Sequence, residues 1–239
     1  MTRLETKKAV LSIQNTACET LGTLEGMFKR DGFAIENTSA QKEGGIPSRS
    51  SDYSAIIVLG GPMAVYDNLT YLQKEQDLIR DAIKNDVPVL GVCLGSQLIA
   101  QAAGGRVFKG RKKEIGWHDV SLSPQGKETL FSGIRDGKGE KTIRVFQWHG
   151  DTYELPKEAT VLAYTDLYPQ AFKLGSAIGI QFHLEVDERL IKSWVKEYSA
   201  ELDAEKIDAK KSILPALGDL QELESKCQAV YRNFTAMVR

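Results

Sequence analysis

Val87-Pro88-Val89-Leu90-Gly91-Val92-Cys93-Leu94-Gly95-Ser96-Gln97-Leu98-Ile99-Ala100-Gln101-Ala102-Ala103-Gly104-Gly105 is the stretch on which the fold turns. Val87 to Val92 is a continuous apolar run of the kind carried by a strand buried on both faces. Ser96 to Ala103 reads as a helix that stops at Gly104-Gly105. Between them lies Gly91-Val92-Cys93-Leu94-Gly95. Glycines two residues either side of the centre permit a sharp strand-to-helix turn that lifts one side chain into the open. Here that side chain is a thiol. The partial positive charge at a helix N-terminus favours the thiolate and lowers a resting pKa of about 8.5. The Leu94 N–H, freed by the turn, is placed to donate to an oxyanion. A buried structural cysteine among packing glycines gives the same letters. The position at a βα turn of a parallel sheet is what makes Cys93 a candidate nucleophile.

On either side of this stretch, strand and helix patterns alternate. Ala9 to Ile13 reads as a buried strand, followed by a helical stretch with Leu21, Leu24, Met27 and Phe28 on one side. Asp31-Gly32 is a stop signal before Phe33 to Ile35, and Ser54 to Leu59 is an apolar run halted by Gly60-Gly61-Pro62. Tyr71 to Lys84 repeats Leu72, Ile79 and Ile83, flanked by Tyr71, Leu78 and Ala82, as a helix with one buried face does. This order predicts an α/β fold: an open, mostly parallel sheet with helices on both faces. Beyond Arg106 the short runs Thr142 to Trp148, Thr160 to Tyr164, Ala171 to Leu174 and Ala177 to Phe182 read as hairpin-linked strands added to that sheet. After Asp187 only helices are expected, over Leu190 to Tyr198 and Leu217 to Val238. The organisation expected is one domain over 1–200 with a C-terminal helical extension, 201–239, belonging to it.

Bulk properties narrow the function. Of 239 residues, 42% are apolar, and 31 Lys+Arg stand against 32 Asp+Glu for a net charge of −1, so nothing in the balance recruits nucleic acid or an anionic membrane. The basic cluster Lys109 to Lys113 reads as a solvated loop. Three scattered cysteines, Cys18, Cys93 and Cys227, form neither a disulfide framework nor a CxxC metal spacing, which points to a reducing compartment. Cys18 and Cys227 read as packing residues. Met1 to Lys8 is charged and the apolar run after it is too short for a signal or membrane segment, so a soluble, cytoplasmic protein is expected.

A thiol nucleophile needs a base, and there are three histidines, His118, His149 and His183. His183 ends the run Ile178-Gly179-Ile180-Gln181-Phe182-His183, and Glu185 follows two residues later. On an extended backbone, residues i and i+2 project to one side, so the carboxylate can fix the tautomer and orientation of the imidazole. Trp148-His149-Gly150-Asp151 is a rival, since such a turn could position His149, although Asp151 is equally suited to capping the turn. His118 reads as a surface or core residue at the start of a strand.

Four segments resemble the class I glutamine amidotransferases, in particular the amidotransferase domain of GMP synthetase and its stand-alone relatives. They are Val58-Leu59-Gly60-Gly61-Pro62-Met63, Gly91-Val92-Cys93-Leu94-Gly95-Ser96-Gln97, Trp148-His149-Gly150-Asp151 and Gln181-Phe182-His183-Leu184-Glu185, in the family's order. The resemblance implies a flavodoxin-like sheet and a thioester mechanism on the γ-carboxamide of glutamine, with Cys93 attacking, His183 moving the proton and Glu185 holding His183. It implies Gly61 as the second oxyanion donor beside Leu94, and substrate contacts at Gly60, Gln97, His149, Gly150 and Asp151. No cofactor and no metal is called for. GMP synthetase continues into an ATP-using domain, whereas no GxxxxGK[ST] loop occurs here; Gly137-Lys138 is followed by Gly139.

The expectation is therefore a stand-alone hydrolase of glutamine or a small γ-glutamyl compound, or a subunit that hands ammonia to a synthetase partner in trans. A γ-glutamyl peptidase on the same elbow and a non-catalytic binding relative are the alternatives. The intact Cys93, His183 and Glu185 argue against the last, since a binding module needs none of them.

Overall fold

The computed structural model describes residues 9–134 and 141–238; the charged N-terminus Met1 to Lys8 and the Gly137-Lys138-Gly139 segment lie outside the described residues. Strands β1 (Val10–Gln14), β2 (Ile35–Ser39), β3 (Ala55–Val58), β4 (Val89–Val92), β5 (Arg106–Leu122), β6 (Thr142–Glu154), β7 (Thr160–Tyr164), β8 (Pro169–Leu174) and β9 (Ala177–Ile180) form one sheet. Their order is β2-β1-β3-β4-β9-β8-β7-β5-β6. The first five run parallel, and the remaining four join antiparallel. The sheet is thus mixed, with the expected parallel, flavodoxin-like order confined to one side.

The central parallel strands are apolar because helices cover both of their faces, whereas the edge strand β2 is polar and largely exposed. β3, β4 and β9 are buried at every position. On one face lie α2 (Thr70–Lys84) and α3 (Leu94–Ala102), with Leu72, Leu78, Ile79, Leu98 and Ile99 packed on Ile56, Val58 and Val89. On the other lie α1 (Thr23–Arg30) and, after the short α4 (Pro124–Glu128), the C-terminal helices α5 (Glu188–Glu197), α6 (Ser199–Ala204), α7 (Ala209–Ser212) and α8 (Leu220–Thr235). Each fully buried Leu or Ile contributes about 1.5–3 kcal/mol of transfer free energy. The 201–239 segment packs back on the sheet's own helices: Phe28 meets Tyr231 edge-on at 5.0 Å, and the Tyr231 hydroxyl donates to Asp31 at 2.8 Å. Among the described residues no helix is long and apolar enough to cross a membrane.

Two expectations need correction. Arg106–Leu122 is a 17-residue strand, of which the sequence pattern discloses only a start at His118. The basic cluster Lys109 to Lys113 is not a loop but a part of that strand, at a register shift against β6 between Lys109 and Glu114. The bulge is held by Tyr168, whose hydroxyl bonds both the Lys112 N–H and the Lys112 carbonyl at 2.8 Å. The shift breaks the two-residue period by which strands are read. β6 likewise runs on from Trp148 to Glu154, and β9 stops at Ile180, short of Phe182.

Candidate active site

The turn from β4 into α3 is made by Cys93 itself, at φ 52° and ψ −109°. A non-glycine residue at positive φ costs on the order of 1–3 kcal/mol and persists only where its surroundings fix it. Here the Cys93 N–H donates to Ile180 at 2.8 Å, and the Cys93 carbonyl accepts from the Ser96 hydroxyl at 2.7 Å. The flanking glycines serve close packing. A Cβ on Gly95 would collide with the Val58 carbonyl, and one on Gly91 with the carbonyl of Gly95.

His183 is carried to the thiol by the segment beyond β9. Its N–H donates to the Phe146 carbonyl of β6 at 2.8 Å, which pins the residue between the two halves of the sheet. Its Nδ1 bonds Glu185 Oε1 at 2.6 Å, as the i, i+2 spacing predicts, and its ring stacks edge-on against Trp194 at 4.7 Å. The other side of the ring is within hydrogen-bonding reach of the Cys93 sulfur. The thiol also lies 3.6 Å from the Trp148 carbonyl, to which it can donate.

The electrostatics of the pair are set by burial and by carboxylates. Burial opposes a charged imidazole, yet the Glu185 carboxylate and the Cys93 sulfur hold His183 well above its ordinary value. Burial pushes the Cys93 thiol up; His183 and the Leu94 N–H pull it down without offsetting that, and Glu19 adds to the rise. Burial thus outweighs the helix N-terminus, which alone would lower the thiol, and the two groups titrate as a coupled pair.

A cavity of about 660 Å³ opens over the pair. Gly61, Leu94 and Asn15 meet beneath it: a Cβ on Gly61 would stand 3.0 Å from Asn15 Cβ and 3.2 Å from Leu94 Cδ2. Gly60 adjoins the nucleophile, since a Cβ there would be 3.3 Å from Cys93 Cβ. Gln97 donates to the Asp151 carbonyl and to Gln181, both at 3.3 Å, which brings Gln97, Gly150 and Asp151 to one side of the cavity. His149 lines the same cavity, but its ring is committed inward. Nδ1 bonds the Asp151 carbonyl at 2.9 Å and Nε2 bonds Glu114 at 3.1 Å. Both ring nitrogens are therefore occupied. His118, bonded to the Ile115 carbonyl at 3.2 Å, is half-buried on β5 and has no part in the cavity. Cys227 is buried beneath α1, with the Thr23 hydroxyl at 3.5 Å, as a packing residue should be.

The opposite wall has no local sequence signature. Glu19 follows β1, and Trp148, Trp194, Tyr198, Glu197 and Glu201 come from β6 and the α5–α6 junction. Trp148 Nε1 donates to Glu201 at 2.9 Å, and Lys113 pairs with the same carboxylate. Glu19 sits at the carboxyl end of a parallel strand, where such sheets place ligands, and that position was the available signal.

A family model described as "Glutamine amidotransferase class-I" matches residues 29–196. The chain belongs to the class I glutamine amidotransferase family. A glutamine amidotransferase from Thermotoga maritima superposes with a TM-score of 0.86 at 32% identity, covering 98% of this chain and 99% of that one. A glutamine amidotransferase-like protein, YfeJ, from Salmonella typhimurium is 28% identical over 72% of this chain and 73% of its own length. The GMP synthase of Edwardsiella ictaluri is 34% identical over 58% of this chain but only 26% of its own length, so the chain spans about a quarter of that relative.

Proposed function

We propose that the chain hydrolyses the γ-carboxamide of glutamine or of a γ-glutamyl compound through a thioester on Cys93. The observation that carries this reading is the Glu185–His183–Cys93 arrangement: a 2.6 Å carboxylate–imidazole bond on one side of the ring and the elbow sulfur on the other. The thiolate attacks the carbonyl carbon, and the oxyanion formed is received by the Leu94 and Gly61 N–H groups. The C–N bond then breaks as the imidazolium of His183 protonates the departing amine. His183, now neutral, takes a proton from water as it attacks the thioester, and the sulfur leaves as thiolate, with glutamate released and the imidazolium restored. In this reading Gly60, Gln97, Gly150, Asp151 and the His149 backbone hold the γ-glutamyl group. A reducing, cytoplasmic setting that keeps Cys93 unoxidised belongs to the reading. So does the choice between water and a synthetase partner's substrate as the acceptor.

Steady-state turnover of glutamine and a few γ-glutamyl amides by the purified chain is the test. Cys93→Ala should abolish it together with labelling by a glutamine-like electrophile, while Cys227→Ala should retain both. Undiminished turnover by Cys93→Ala would sink the assignment.

A further inference from the structure

Glu19 is a buried carboxylate, 7% exposed, in the wall of the cavity that holds Cys93 and His183, and the triad gives it no work. Oε1 accepts from the Tyr198 hydroxyl at 2.8 Å. Oε2 makes no hydrogen bond with any described residue, and it faces the spot beside the nucleophile. A Cβ on Gly60 would collide with Oε2 and stand 3.3 Å from Cys93 Cβ.

A carboxylate so placed is costly unless a positive group joins it. Burial pushes Glu19 up, and the one positive group that acts on it among the described residues is His183, while Glu185 and Glu201 push it further up. Lys109 and Lys113 line the cavity; Lys113 is already engaged by Glu201 and Glu205, and neither lysine is among the groups that act on Glu19. A cation brought by the substrate fits the place beside the free Oε2.

Position decides which part of the substrate carries it. Glu19 acts on Cys93 and is acted on by His183, the group that hands a proton to the leaving amine. Gln97, Gly150 and Asp151, the proposed seat of the γ-glutamyl group, have no bond to Glu19. The leaving-group side is thus Glu19 with the rings of Trp148, Trp194 and Tyr198, and aromatic faces favour a cation further. A cavity of about 660 Å³ also holds far more than ammonia, since a molecule the size of water occupies about 30 Å³.

Resting on the γ-glutamyl hydrolase reading, we propose that Glu19 is a specificity residue that selects γ-glutamyl amides whose leaving amine carries a second, positively charged amino group, as in a mono-γ-glutamylated diamine.

The experiment is a charge series on the intact chain: γ-glutamyl-1,3-diaminopropane, γ-glutamylpropylamine and γ-glutamyl-β-alanine, with glutamine alongside. The expected order of kcat/KM is cationic above neutral by about tenfold or more, with the anionic amide lowest. Glu19→Gln should reduce the cationic-to-neutral ratio by about tenfold, to near one, and Glu19→Asp should keep part of it. Equal kcat/KM across the wild-type series overturns the proposal without any variant, so a misfolded Glu19→Gln protein does not shelter it. A uniform loss with the ratio unchanged overturns it too. So does a ratio unchanged while discrimination against glutaryl amides, which lack the α-amino group, disappears; Glu19 would then read the α-ammonium. Absence of turnover with every γ-glutamyl amide, glutamine included, removes the parent reading, whereas turnover without charge order removes this one alone.

Discussion

Two buried histidine–glutamate pairs stand within one cavity wall of each other, and they are built for different ends. His183–Glu185 is closed by a 2.6 Å bond and leaves the far side of the ring to the Cys93 sulfur. His149–Glu114 is bonded at 3.1 Å, and the remaining nitrogen of His149 is spent on the Asp151 carbonyl. Glu114 is correspondingly bound in: burial pushes it up, but His149 and Gln170 hold it below the usual carboxylate range. Gln170 Nε2 reaches Glu114 at 2.6 Å, and its Oε1 accepts from Gln147 at 2.7 Å. A histidine with one free nitrogen can move a proton; one with none can only hold a shape. Here the shape held is the 149–151 corner of the cavity.

The largest expected effect breaks the first pair. His183→Ala should reduce kcat by about a thousandfold or more, because it removes both the partner of the thiolate and the acid for the leaving amine. Glu185→Gln should cost less, about a hundredfold, and should leave a mark in the pH profile. Glu185 raises His183, so its removal lowers the pKa of the pair, and both limbs of the kcat/KM–pH bell should move to lower pH. A bell that stays in place would mean that Glu185 does not act on catalysis through His183. His149→Ala should do the converse of His183→Ala. It leaves the Glu114 charge buried and unpaired, so a loss of about 3–5 kcal/mol of stability and a raised KM are expected, with kcat within about tenfold. If calorimetry found the fold as stable as before and kinetics found kcat collapsed, the roles of the two histidines would be exchanged.

The asymmetry also explains what the sequence could disclose. The Cys93 elbow is legible because glycines, an apolar strand and a helix lie within twenty residues, all local. His183 and Glu185 are legible because two residues of extended chain put both on one side. Nothing local separates His149 from His183, since the fact that decides it is Glu114, 35 residues earlier on a strand whose bulge hides its period. Glu19 was silent for the same reason at greater range: its hydroxyl partner, Tyr198, is 179 residues away. The parallel half of the sheet is readable from continuous apolar runs. The long β5 is not, because its exposed edge carries Lys109, Arg111 and Lys112 where an alternating strand would show its pattern.

A third buried carboxylate, with no histidine at all, sharpens the comparison and should change activity least. Glu75 of α2 is wholly buried, its nearest polar partner is the Asn15 amide at 3.4 Å, and burial pushes it up to about 8. Asn15 in turn donates to the Leu59 carbonyl at 3.2 Å, just ahead of Gly60-Gly61. Among the described residues Glu75 Oε1 and Asn15 Oδ1 both lack a partner, which a proton on the carboxyl would help to satisfy. Where His149 and Gln170 hold Glu114 below the usual carboxylate range, burial without such partners keeps Glu75 neutral. Its folded pKa lies above the ordinary value of 4.5, so between the two the folded chain holds a proton that the unfolded chain has lost. Stability from this group is full below about pH 4.5, declines by at most about 1.4 kcal/mol per pH unit, and is gone above about 8. Glu75→Gln keeps the neutral shape and removes the proton, so its Tm should match the parent near pH 5 and exceed it near pH 9. Parallel Tm–pH curves for the two proteins would mean that Glu75 is ionised in the fold and that its neutrality is not what supports the Asn15–Leu59 contact under the glycine loop.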